Sequence, residues 1–66
     1  MDSPRFQSNF QAQKRALAKA KNEGPNAVLD AVKIAMESFE RYGYPDQWHD
    51  WERAEDEAKM KLLYGR

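Results

Sequence analysis

The chain has 66 residues, no cysteine, and eleven basic against eleven acidic side chains, so its formal net charge is zero. A single domain of this size buries only about 60% of the surface its unfolded chain exposes, which leaves little material for a deep pocket. Without thiols there are no disulfides, thiolate metal sites or thiol nucleophiles, and the balanced charge argues against a strong overall field toward nucleic acid or anionic lipid.

Charge is nevertheless uneven along the chain. Residues 1–24 carry Arg5, Lys14, Arg15, Lys19 and Lys21 against Asp2 and Glu23, a balance of +3, whereas residues 44–66 sum to −2. No basic stretch followed by an apolar one opens the sequence, and apolar runs are only a few residues long, so the expectation is a cytoplasmic protein with no membrane association. For a small domain without disulfides, association with a partner or a second copy is the natural further source of stability.

The first predicted helix covers residues 4–22. Ser3 supplies a capping hydroxyl before Pro4, whose missing N–H is harmless at the first helical position. Phe6, Phe10, Gln13, Leu17 and Ala20 recur at steps of four and three, a narrow apolar stripe interrupted by an amide at its centre. Gly24 and Pro25 break the chain, and Pro25 opens a second helix over 25–42. Val28, Val32, Ala35, Phe39 and Tyr42 keep the same period there, with Leu29, Ile34 and Met36 widening the apolar arc, so this helix is expected at the centre of the fold. Gly43 suits a left-handed terminating residue.

Tyr44-Pro45-Asp46 forms the second connector, with Tyr44 or Asp46 as the cap of a third helix over 46–64 and Gly65 as its stop. Trp48, Trp51, Ala54 or Glu55, Ala58 and Leu62 mark its inward face, and Glu55 with Lys59 and Glu57 with Lys61 are favourable pairs on an outer one. No strand pattern competes. The sequence thus describes one all-α domain over residues 1–66, a small three-helix bundle running up, down and up, or an αα-hairpin with a docked N-terminal helix.

Chemistry is sparse. His49 and Glu52 share one helical face, but His-x-x-Glu occurs once and in the opposite order to the motif of di-metal bundles, so a solvated polar face is preferred and no metal or cofactor is assigned. Neither Ser8 nor Ser38 can be matched to a histidine base and a third orienting group, and the three glycines form no phosphate-binding loop. No catalytic residue is assigned, and the chain reads as a non-enzyme.

Two binding readings remain. Tyr44, Trp48 and Trp51 gather aromatic surface around the second connector, and Phe6 and Phe10 offer a second candidate on the first helix. Large aromatics supply much of the affinity at protein interfaces when partly exposed. The opposing expectation places both tryptophans in the core; between these extremes Trp51 is buried and Trp48 packs at the edge with Tyr44, leaving an apolar patch beside acids suited to a partner with a basic rim. The alternative is a nucleic-acid-associated role in which Arg5, Lys14, Arg15, Lys19 and Lys21 contact phosphates. Against it, the third helix is acidic where a recognition helix would need base-contacting groups.

The run from Tyr44 to Ala58, Tyr-Pro-Asp-Gln-Trp-His-Asp-Trp-Glu-Arg-Ala-Glu-Asp-Glu-Ala, resembles a segment of short accessory proteins of actinobacterial phages and their hosts. The likeness extends over residues 27–58 and carries no catalytic signature. It implies a factor that binds a host or phage protein, and it assigns no site residue.

Overall fold

The computed structural model describes residues 4–65, which form three helices: α1 (Pro4–Glu23), α2 (Pro25–Tyr42) and α3 (Trp48–Tyr64). The all-α three-helix bundle expected from the periodicity is the observed fold, and among the described residues there is no strand. The cap expected at Ser3 lies outside the described residues.

Helix α2 lies between the other two, packing against both, while α1 and α3 touch each other much less. Its central place follows from composition, because it is the one helix with an apolar arc wide enough to serve two neighbours. Val28, Val32, Ala35 and Phe39 are all buried along it. They meet Leu17 and Ala20 from α1 and Trp51, Ala54 and Ala58 from α3. The core is graded in size. Ala20, Ala54 and Ala58 occupy the end near the α1–α2 turn, where small side chains let helix backbones approach closely, and Phe39 and Trp51 fill the other end.

Only Gly24 separates α1 from α2. Its φ of 126° and ψ of 171° lie in a region essentially confined to glycine, and its amide donates to the Ala20 carbonyl at 3.1 Å. The chain reverses there, and Pro25 begins α2 at once. Gly43 ends α2 in the same way, with φ 115° and ψ 144° and its backbone N–H donating a hydrogen bond to the Phe39 carbonyl at 2.8 Å. Positive φ was expected at Gly43, but its ψ places it in this extended region instead of the left-handed helical one. The chain therefore leaves α2 extended, straight into the Tyr44-Pro45 connector.

Helix α3 begins at Trp48, two residues later than expected. The Trp48 amide donates to the Pro45 carbonyl at 3.1 Å, so Asp46 and Gln47 are taken up in a turn, and Gln47 stands at the cap position without a side-chain hydrogen bond. Neither Tyr44 nor Asp46 occupies that position.

Gln13, the amide within the α1 stripe, has a physical role. Its Nε2 donates to Asn9 Oδ1 at 3.1 Å and reaches Ser38 Oγ on α2 at 3.4 Å. This part-buried polar contact favours one register of α1 on α2, since sliding either helix would break the bond to Ser38 while leaving the one to Asn9 within α1. Leu62 departs from expectation. It continues the inward stripe of α3 but is 44% exposed, because the stripe has by then passed the end of the α1–α2 hairpin.

Candidate functional site

The hairpin direction carries the start of α1 to the end of α2: a Cβ placed on Gly43 would lie 3.5 Å from the Phe6 ring. Since α3 starts from the same end, residues far apart in sequence meet there. Phe6, Gln7, Phe10, Tyr44, Pro45, Asp46 and Gln47 line one shallow hollow.

The five aromatic residues singled out from the sequence join in one chain of ring contacts. Phe6 stacks along Phe10 with centroids 6.5 Å apart and planes at 9°, and Phe10 meets Trp51 at 6.0 Å. Trp51 is held edge-on by Phe39 at 5.1 Å; Phe39 in turn touches Tyr44 at 5.6 Å. Tyr44 stands edge to face with Trp48 at 5.8 Å, and Trp48 lies against the imidazole of His49 at 4.0 Å. Such offset and edge-on arrangements are those the ring quadrupoles favour.

Burial sorts these rings into two roles. Trp51, at 2% exposure, belongs to the core and has no free face for a partner. Its indole N–H is buried without a hydrogen-bond partner among the described residues. Tyr44 is 47% exposed, and Trp48, Phe6 and Phe10 are half-buried, so these four form the accessible part. The arrangement is the intermediate one of the three weighed for the tryptophans. Asp46 lines the hollow and Glu52 is exposed one turn beyond Trp48, so the connector side of the aromatic surface carries acids, while Lys14 lies beside Phe10 on the α1 side.

His49 Nδ1 lies 3.6 Å from Glu52 Oε1, with both side chains more than half exposed. An ion pair this open contributes little, and only when the imidazole is protonated. Among the described residues no group of three or more His, Asp or Glu side chains is placed to hold a metal ion.

The five bases of α1 are all exposed, but they do not form one surface. At about 100° per residue, Lys14 and Lys21 fall on one flank of the helix and Arg5, Arg15 and Lys19 on another, roughly 150° away. Lys14 and Lys21 line a groove whose other wall carries Asp50, Arg53 and Glu57 of α3. Lys14 also places its ammonium 5.5 Å from the centre of the Phe10 ring. Acids across the groove weaken the attraction this flank would exert on a phosphate.

Sequence reasoning passed over the end of α3. Met60, Leu62, Leu63 and Tyr64 are all exposed there, although only Leu62 had been given a position in the fold. Four large apolar residues within five positions, Met60 to Tyr64, was the available signal.

Fold and site together define a class, the small all-α three-helix domain with an aromatic surface at one end. No protein-family model, curated protein or solved structure matches the chain. No described helix is long and apolar enough to cross a membrane.

Proposed function

We propose that the protein is a non-catalytic helical interaction module that captures a protein partner on the surface formed by Tyr44, Trp48, Phe6 and Phe10. One observation carries this reading: Tyr44 and Trp48 stay accessible while ring contacts through Phe39 and Trp51 anchor them to the core. Aromatic side chains held rigidly lose little entropy on binding, which is the property of residues that dominate interfaces. Asp46 and Glu52 on its connector side favour a partner that is basic where it meets Tyr44 and Trp48.

A module of this kind works by binding alone, in the manner of the accessory proteins that the 44–58 segment resembles, and its proposed location is the cytoplasm. A nucleic-acid-associated role is the weaker alternative, because the bases it needs are divided between two flanks of α1.

Affinity capture from the native host tests the proposal, comparing the unmodified chain with Trp48→Ala and Tyr44→Ala. The expected result is a specific protein that both variants lose while their helical circular dichroism stays intact. A partner retained equally by both folded variants contradicts it.

A further inference from the structure

The hollow at the aromatic end is small and mixed in character. Phe6 and Phe10 border it from α1, with ring planes 9° apart, and Tyr44, Asp46 and Gln47 border it from the connector. Its volume of about 330 Å³ is at the small end of ligand pockets, room for a side chain and not for a helix. Asp46 is the only charged side chain lining it among the described residues, and it takes part in no ion pair there. Two bases of α1 come close to this end without lining the hollow. Lys14 lines the groove between α1 and α3, and Arg5 lines a separate hollow with Tyr42. Lys14 nevertheless sets its ammonium 5.5 Å from the centre of the Phe10 ring, so one ring of this cluster already has a cation beside it.

Three kinds of occupant differ in what they do to these groups. An acidic group is repelled by Asp46. An apolar side chain strips water from the Asp46 carboxylate and the Gln47 amide and returns no hydrogen bond. A cation with a flat face suits both halves of the hollow, because it packs on aromatic rings and donates to a carboxylate. Arginine combines these properties, whereas lysine carries its charge on a compact, strongly hydrated ammonium.

We infer, resting on the interaction surface proposed above, that this hollow seats an arginine side chain of the protein partner, with the guanidinium packed on the rings of Phe6 and Tyr44 and donating to the Asp46 carboxylate. Asp46 is exposed, and both ion pairs and cation–π contacts are modest where water has access. The seat therefore selects the partner more than it holds it, and most of the affinity falls to Tyr44 and Trp48.

An NMR titration of the isotope-labelled full chain with N-acetyl-arginine amide provides the test. Backbone amides within residues 6–10 and 44–47 are expected to shift and to saturate with a Kd on the order of 1 mM. N-acetyl-citrulline amide, which has nearly the same shape and no charge, should bind about fivefold or more weakly, and N-acetyl-lysine amide about twofold or more weakly. Asp46→Asn should weaken the arginine probe about threefold and leave the helical circular dichroism unchanged, because the side chain is exposed. Citrulline or lysine bound as tightly as arginine overturns the inference, as do shifts confined to α3 beyond Glu52, an Asp46→Asn chain that binds as the native does, or no saturation below about 20 mM. The capture experiment separates the two claims. A protein that Trp48→Ala loses and Asp46→Asn retains undiminished upholds the interaction surface and overturns the arginine seat; saturable arginine binding by a chain that captures no protein upholds the seat and contradicts the module.

Discussion

The ring of Phe39 stands at 88° to the indole of Trp51 with centroids 5.1 Å apart, and this contact joins α2 to α3 at the wide end of the core. Phe39 is also the ring on which Tyr44 rests, so the same side chain that closes the core supports the exposed site. The fold and the proposed binding surface therefore share one supporting residue.

Trp51 should be the most sensitive position in the chain. Truncation to alanine removes the largest fully buried side chain and is expected to lower stability by about 3–5 kcal/mol, enough to unfold much of a domain this small. Trp51→Phe should lose much less, because it keeps aromatic volume and removes an indole N–H that is buried without a partner among the described residues. Urea denaturation of the two variants checks the order.

The hairpin turn makes a different demand. A Cβ on Gly24 would meet nothing within 4 Å, so the effect of Gly24→Ala comes from the backbone alone. With φ at 126° it should destabilise by roughly 1–3 kcal/mol without disturbing a packed neighbour. Thermal melts should show the loss, and Asn22→Ala, on the exposed last turn of α1, should show almost none.

Much of this architecture was legible in the sequence because α2 keeps an uninterrupted period of three and four from Val28 to Phe39, and because glycine marks its end and the turn before it. The roles of Trp48 and Trp51 were not. Residues three apart share a helical face, and which one is buried depends on its level relative to Phe39 and Phe10, which periodicity does not encode. The meeting of Phe6 with Tyr44 depends on the direction in which the hairpin folds back. Exposure at Leu62 had a similar origin: its stripe position is correct, but the helices it would face have already turned.

Nucleic-acid binding through α1 should be weak. With Lys14 and Lys21 beside acids and the other three bases on a separate flank, a mobility-shift titration is expected to show no complex near physiological salt. A shift that weakens steeply with salt and is lost on Arg15→Glu with Lys19→Glu would favour the alternative reading.

Amide hydrogen exchange of the full chain, with and without a protein obtained by the capture experiment, tests the proposed binding surface directly. Added protection is expected at residues 5–10 and 43–50, with the exposed outer face of α2 around Ile34 unchanged. Protection confined to α2, or to the basic flank of α1 at Arg15 and Lys19 while residues 43–50 exchange as in the free chain, would contradict it.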